Sequence, residues 1–378
     1  MEYVLNKPLS EVRTTLKPKW YRVPIDIKIL RELSKPSDLK GLIQTLGHLG
    51  LWICTGLFCY YCFSHELWIG FIIALFIHGT VGSHFIFAHH ELCHGTVFKT
   101  KWINVFFLRI FAFFGWMNFH IYKMSHSYHH RFTCFPEGDR EVVLPRDPSL
   151  NISFLLQLFT INLNGNGGYF GGLIPTINNF INIACNRFEK PFNLWSEALY
   201  DGHPEERRKA KNWARLVLVF HGLIIVISIL IGEPILAVIL SGQAFIGNWH
   251  SHFLNETQHD GLKSNVSDFR KCTRSIKLNP FSEFLYWHMN WHLEHHMYAA
   301  VPCYNLSKLH QLVSKDMPEL KNLVGAWQEM LKIFKQQQQD PDFEFDKPVP
   351  PQRKKLSKSS ADNLTVISIG DLAPKSIS

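Results

Sequence analysis

Residues 88–94 read AHHELCH, residues 126–130 read HSYHH and residues 292–296 read HLEHH. These three histidine segments hold nine of the 21 histidines in the chain. Residues three and four apart on a helix share a face, so the imidazoles of each segment can point to one place. Neutral imidazole binds iron, zinc and copper, and one segment could supply only part of a metal's ligands. Together the segments predict a site for two metal ions.

Four apolar runs are long enough to cross a bilayer, which takes roughly 20 apolar residues. They cover residues 41–63, 67–88, 214–232 and 234–253, and they form two hairpins. A fifth run, residues 102–119, has Arg109 near its middle, and a charge at the bilayer centre costs about 2.5–3.5 kcal/mol. We therefore expect this run to be interfacial or re-entrant, which keeps all three histidine segments on one side of the membrane.

The sequence thus predicts an all-α integral membrane protein with four transmembrane helices in two hairpins and a cytoplasmic helical cap that holds a histidine-rich dimetal site. Residues 1–40 carry nine Lys or Arg, and the short hairpin links carry none. The positive-inside rule therefore places both termini and the site in the cytoplasm. Residues 1–40 form a cytoplasmic segment and residues 41–335 the membrane domain. The polar composition of residues 336–378 predicts a disordered tail.

The net charge of +8 does not require a nucleic-acid partner, because no nucleic-acid-binding motif is present and basic residues near cytoplasmic span ends suit anionic membrane lipid. The eight cysteines are scattered, and several lie in predicted spans. A disulfide framework is not expected on a cytoplasmic face. Four further histidines lie inside predicted spans, where we expect packing or hydrogen bonds between helices. They are His48, His78, His84 and His221.

Residues 90–94 also fit H-E-x-x-H, the zinc peptidase motif in which the glutamate, here Glu91, is the general base. This hypothesis needs only one more ligand and leaves the second and third histidine segments without a role. The two-metal hypothesis uses all three segments. A membrane zinc metallopeptidase that uses His90, Glu91 and His94 stays as the distant alternative.

The three segments resemble the histidine boxes of the integral-membrane fatty acid desaturases, which read H-x(3 or 4)-H, H-x-x-H-H and (H or Q)-x-x-H-H. They stand in the family's order, and the gaps between them are 32 and 162 positions, which leaves room for the second hairpin before the third box. One departure is Tyr122-Lys123, where the family often has Trp-Arg. The resemblance covers roughly residues 40–330.

The resemblance implies one more ligand, from an Asn-x-x-x-His pattern at the cytoplasmic end of the fourth span. Residues 248–252 fit it, so His252 is the predicted ninth ligand, and Asn248 is predicted to reach a metal through water. The predicted metal ligands are His90, His94, His126, His129, His130, His252, His292, His295 and His296. The second choices are His89, His250, His259 and His288. No catalytic side chain beyond the metal ligands is predicted.

Four acidic residues lie in or near the histidine segments and could orient the imidazoles by accepting their N–H groups. They are Glu91, Asp139, Glu141 and Glu294. For Asp139 and Glu141, a simple solvated role remains open.

The resemblance also implies the reaction. It predicts a membrane-bound diiron fatty-acyl desaturase that uses dioxygen and two external electrons to introduce a double bond into a lipid acyl chain. Cytochrome b5 or a ferredoxin would donate the electrons, since the chain has no nucleotide-binding glycine pattern and no fused His-Pro-Gly-Gly haem signature. A hydroxylase or ketolase of a lipid or carotenoid stays open, because the histidine pattern does not decide between a second hydrogen abstraction and hydroxyl rebound. In a eukaryote, the endoplasmic reticulum membrane is expected.

Overall fold

The computed structural model describes residues 7–144, 150–165, 171–188 and 193–353, and most of them are helical. The α-helices are α1 (Leu9–Thr15), α2 (Ile27–Leu33), α3 (Asp38–Ser64), α4 (Trp68–Ser83), α5 (Phe85–His94), α6 (Lys101–Phe114), α7 (Phe119–Phe132), α8 (Ile152–Phe159), α9 (Leu173–Ala184), α10 (Asn193–Tyr200), α11 (Pro204–Leu230), α12 (Ile235–Ala237), α13 (Trp249–Asn255), α14 (Phe269–Cys272), α15 (Pro280–Leu285), α16 (His292–Met297), α17 (Leu306–Val313) and α18 (Leu323–Gln339). Two short strands, β1 (Ile276–Lys277) and β2 (Lys321–Asn322), pair in parallel.

Three helical stretches in the described part of the chain are long and apolar enough to cross a membrane. They are Asp38–Ser64, Trp68–His94, which joins α4 and α5, and Pro204–Leu230. The first two form a hairpin through a link at Glu66, whose φ of 56° turns the chain. These stretches agree with the first three predicted spans, although the third begins ten residues earlier than expected.

The fourth predicted span differs from the structure, because residues 234–253 do not form one helix. Ile235–Phe245 is a short apolar helix that includes a π-helical turn at Val238–Gly242, and α13 begins only at Trp249. The break lies at Gly247, which has a φ of 60° and whose N–H donates to the carbonyl of Thr160. A side chain there would approach the Phe76 carbonyl to 2.8 Å. Close packing against α4 therefore interrupts the apolar run.

The fifth apolar run forms α6, which meets α7 at an angle of 105°. The pair is apolar enough to count as one broken span or as a re-entrant loop. Its second helix, α7, carries the second histidine segment.

Apolar side chains face outward along the long helices. On α3, a stripe of side chains on one helical face is at least half exposed: Leu39, Ile43, Leu46, Ile53 and Leu57. An apolar surface of this length is unfavourable in water and favourable in hydrocarbon. Together with the long apolar helices, this stripe indicates a membrane protein.

The histidines inside the apolar helices make hydrogen bonds, mostly to other helices. His48 Nε2 lies 3.1 Å from the carbonyl oxygen of Val81, and His78 Nε2 lies 3.0 Å from that of Ile239. His221 Nε2 lies 2.9 Å from the carbonyl oxygen of Phe113, whereas His84 bonds within its own helix. These contacts agree with the expected structural role.

The structure describes residues 336–353, which the sequence predicts to be part of a disordered tail. The helix α18 runs on to Gln339, and the acidic stretch after it pairs with basic residues of the membrane domain. Asp346 lies 2.7 Å from Lys271, and Glu344 lies 3.2 Å from Lys263. The rest of the predicted tail, residues 354–378, lies outside the described residues.

The guanidinium of Arg270 is buried where this C-terminal segment meets α14. It donates to both carboxylate oxygens of Asp268, at 3.0 and 2.8 Å, and to the carbonyls of Asp316 and Pro350. Removing one partner of a buried ion pair leaves an unpaired charge, which costs about 3–5 kcal/mol. We therefore expect Arg270→Met to lower the melting midpoint of the detergent-solubilised protein markedly.

The matched control for this prediction is Arg208→Ala, which breaks the exposed ion pair with Glu205. Because water screens that pair, the control should leave the melting midpoint almost unchanged. Equal midpoints for Arg270→Met and the native chain would show that Arg270 does not stabilise this junction.

Candidate metal centre

Five histidine side chains meet in what we call the five-histidine group. Their ligand nitrogens all lie within 4.8 Å of one another. Around the group, neighbouring Nε2 atoms are 2.9–3.2 Å apart. The members are His90 and His94 from α5, His126 and His130 from α7, and His295 from α16.

A second set, the four-histidine group, is equally compact, with all its ligand nitrogens within 4.8 Å of one another. Consecutive Nε2 atoms in it are 3.0–3.2 Å apart. Its members are His129 from α7, His259 from the turn after α13, and His292 and His296 from α16. The two groups share helices α7 and α16.

Helical spacing divides each H-x-x-H-H segment between the two groups. The two histidines four residues apart face one group, and the histidine between them faces the other. In α7 the pair is His126 and His130, and in α16 it is His292 and His296. The first segment lies at the end of α5, which stops at Gly95 with a φ of 70°. Three helix segments therefore supply eight of the nine donors.

The hydrogen bonds of the four-histidine group cannot all be satisfied by protons on the rings. His129 Nδ1 donates to Asp139 at 2.9 Å, and His259 Nδ1 donates to the carbonyl of Cys272 at 2.8 Å. A neutral imidazole has one N–H, so as neutral ligands both rings would present a lone pair at Nε2. The remaining two rings can supply two N–H groups for three Nε2 contacts. A cation bound by four lone pairs removes this conflict, so the donor set fits a metal ion.

Burial keeps most of these rings neutral. Loss of hydration lowers the pKa of His259 to about 3. It also lowers the pKa values of His292, His295 and His296 well below the usual range, and neighbouring histidines act in the same direction. Neutral imidazole is the form that binds metals. His129 is the exception: burial lowers its pKa, but the charge and hydrogen bond of Asp139 outweigh burial and raise that pKa to about 9. A metal that binds at His129 therefore displaces a proton.

Two acidic residues that follow α7 orient histidines of both groups. Asp139, which is fully buried, accepts from His129 and also from the backbone N–H groups of Cys134 and Glu141. Burial raises the pKa of Asp139, but the charge and hydrogen bond of His129 outweigh it and lower that pKa. Glu141 accepts from His126 Nδ1 at 2.7 Å. Both carboxylates thus contact histidines and do not have a merely solvated role.

The other two acidic candidates differ from each other. The Glu91 carboxylate is fully buried, and one of its oxygens lies 3.5 Å from Nδ1 of His295. Glu294 turns away from both histidine groups and binds Ser275 and His310, each at 2.5 Å. The expectation that Glu294 holds a ligand imidazole is therefore wrong, because its side chain is already engaged on the other face of α16.

The structure brings together eight of the nine predicted ligands, and the exception is His252. Its Nδ1 lies 3.8 Å from Glu256, its ring packs on Phe154, and it belongs to neither group. Asn248 stands before the first turn of α13, and its amide donates to the carbonyl of Ala244. The break in the fourth apolar run directs this part of α13 away from the other histidines, which corrects the placement expected for both residues.

His259, a second choice from the sequence, occupies the ninth position. It is a single histidine in a turn, with no partner three or four residues away, so no local pattern distinguishes it. The other second choices have neighbours outside the two groups. His89 lies near Cys93, His250 near Ser282 and His288 near Glu283.

A cavity of about 50 Å³ adjoins both histidine groups. The apolar side chains of Ile86, Phe87 and Val142 form part of its wall, and Asn255 and Gln258 form a polar part. His90, His126, His129 and His292 also line it. The cavity therefore borders histidine side chains of both groups.

We expect Asp139→Asn to weaken metal binding at the four-histidine group by about 10–100-fold, the usual effect of losing a partner that orients a ligand histidine. The neutral amide no longer increases the basicity of His129. Metal retained per chain after dialysis against increasing chelator concentrations measures the effect. Asp342→Asn, an exposed change of the same kind, is the control. Identical retention curves for the two variants would contradict the role of Asp139.

Comparison with known proteins gives one match. The family model described as fatty acid desaturase matches residues 66–326, a range that contains every member of both histidine groups. The comparison with curated proteins gives no match.

Proposed function

Because the chain belongs to the fatty acid desaturase family, we propose that it is a membrane-bound diiron enzyme that uses dioxygen and two external electrons to introduce a double bond into a lipid acyl chain. The observation that carries this proposal is the convergence of nine histidines, eight of them buried, in two adjoining groups. A shell of neutral imidazoles suits iron, and two neighbouring groups suit two ions.

The five-histidine group would hold one iron and the four-histidine group the other. When bound, the two irons would supply the oxidising power that an unactivated methylene requires from dioxygen. Burial among the protein's side chains keeps most of the imidazoles neutral and limits the access of bulk water, and Asp139 and Glu141 hold the orientation of His129 and His126.

The reacting part of the acyl chain would lie in the cavity beside His90 and His292. Its apolar wall, which includes Phe87 and Val142, suits methylene groups. A cavity of about 50 Å³ is smaller than a complete acyl chain, so binding requires the surrounding side chains to move.

The membrane arrangement in this proposal has four crossings. The three long apolar helices supply three of them, and the short helix Ile235–Phe245 with the residues around it supplies the fourth. Four crossings would put both histidine groups on one side, and the basic residues of 1–40 favour the cytoplasm as that side. In a eukaryote the membrane is that of the endoplasmic reticulum. Cytochrome b5 or a ferredoxin donates the electrons to this face.

A hydroxylase or ketolase of a lipid or carotenoid is the second candidate, since the same metal site can serve either outcome. The zinc peptidase hypothesis is less compatible with the geometry. Its general base, Glu91, has no exposed surface, and His90 and His94 share their site with three further histidines.

Product analysis tests the proposal. The purified chain, reconstituted with iron, an electron donor and lipid, should convert saturated acyl chains into products that have lost two hydrogens. Gas chromatography with mass spectrometry distinguishes them from hydroxylated products, which gain an oxygen. Alcohols or ketones as the first products would favour the second candidate, and peptide cleavage without lipid oxidation would contradict the desaturase.

A further inference from the structure

We propose that a basic cavity at the start of α3 binds the phosphate group of an anionic glycerophospholipid from the surrounding membrane. The cavity has a volume of about 840 Å³ and lies between α2, the first turn of α3 and α17. Five cationic side chains line it, against one carboxylate, that of Glu32. The five are Lys28, Arg31, Lys35, Lys40 and Lys308.

Most of these cations lack an acidic partner. Lys35 pairs with Glu32, and Lys40 donates to the side-chain oxygen of Asn305 at 3.1 Å. Within the described ranges, Lys28, Arg31 and Lys308 form no ion pair with a carboxylate. Exposed like charges gathered around one cavity repel each other, and an anion that enters relieves this repulsion. The cavity therefore favours a negatively charged occupant.

An apolar surface begins directly beside these charges. Leu39, next to Lys40, is 69% exposed and is the first residue of the outward-facing stripe on α3. The stripe continues through Ile43 and Leu46 along the helix that we treat as the first span. Ile29, which is 44% exposed, adds an apolar side chain to the cavity itself. The basic cavity suits the headgroup of a lipid, and the apolar stripe that leads away from it suits the acyl chains.

The geometry favours an anionic lipid over two other occupants, a zwitterionic lipid and free phosphate. A zwitterionic headgroup would bring its own cation among five others, which opposes binding. A free phosphate would gain nothing from the apolar stripe. A phospholipid with net negative charge uses both features, since basic residues near a membrane surface attract such lipids by about 1 kcal/mol each.

This site is separate from the metal centre, because none of the nine grouped histidines lines the cavity. The bound lipid would hold α2 against the first turn of α3. The proposal therefore does not depend on the reaction that the metal centre catalyses.

Native mass spectrometry of the full chain in detergent tests the proposal. Dioleoyl phosphatidylglycerol should bind more tightly than dioleoyl phosphatidylcholine, which has the same acyl chains. The triple variant Lys28→Gln, Arg31→Gln, Lys308→Gln should weaken phosphatidylglycerol binding between about tenfold and about a hundredfold. It should leave phosphatidylcholine binding unchanged.

The control variant is Lys315→Gln, Lys332→Gln, Lys335→Gln, which removes the same charge from exposed positions outside the cavity. It should bind phosphatidylglycerol like the native chain. Equal affinity of the native chain for the two lipids, or equal losses in both triple variants, would overturn the proposal. Displacement of phosphatidylglycerol by an equal concentration of glycerol phosphate would also overturn it, since a soluble phosphate would then be sufficient. Melting midpoints verify that the variants are folded.

Discussion

Replacement of His295 by alanine is expected to remove iron from the five-histidine group and to reduce product formation by at least ~100-fold, since losing a ligand costs more than losing the partner that orients one. The His295 ring has no exposed surface, and its Nε2 lies 2.9 Å from that of His90 and 3.2 Å from that of His130. Solvent therefore cannot easily replace the missing nitrogen. Iron per chain, measured by plasma mass spectrometry, should fall from about two to about one or fewer.

His65→Ala is the control for this prediction, because it removes an exposed imidazole from the hairpin link at the other end of α3. It should keep the iron content and the activity of the native chain. If the native protein instead carries one zinc that survives His295→Ala and is lost with His90→Ala, the diiron proposal fails and the peptidase hypothesis returns.

His259→Ala is expected to abolish activity and to lower iron content, whereas His252→Ala should preserve both. The Nε2 atom of His259 lies 3.0 Å from that of His292, inside the four-histidine group. His252 lies in α13, near Glu256 and Phe154. Each substitution removes one imidazole, and the two positions are close in the chain. A difference between the variants therefore reports whether the lost ring belongs to a histidine group.

Iron content, activity and melting midpoint should be measured side by side for this pair of variants. A melting midpoint that stays near the native value in His259→Ala would exclude general unfolding as the cause of its iron loss. The opposite result, with iron lost in His252→Ala and retained in His259→Ala, would show that the Asn-x-x-x-His pattern identifies the ninth ligand and that the turn after α13 moves when metal binds.

Local patterns predicted much of this protein. The long apolar runs became α3, the α4–α5 stretch and α11, because length and hydropathy suffice to define a membrane-crossing helix. The histidine spacing predicted which residues share a helical face, and eight of the nine grouped histidines come from those segments. The sequence also offers Asp139 and Glu141 as partners of the imidazoles, although it leaves a solvated role open for both.

The misplacements came from contacts between distant segments. The fourth apolar run looks continuous in sequence, yet Gly247 packs against α4 and breaks it. Residues 340–353 have the composition of a disordered tail, but their acidic side chains meet Lys263 and Lys271. In both cases the contacting residues are far apart in the sequence, so no local pattern reveals the contact.

The sequence by itself determined the helical membrane class, the three histidine segments and the resemblance to a family, because each depends on residue type and spacing within one segment. Only the tertiary structure decided how the imidazoles divide into groups of five and four, that His259 and not His252 joins them, and where five cations surround one cavity. These features depend on which segments meet in space, and packing between distant helices sets that.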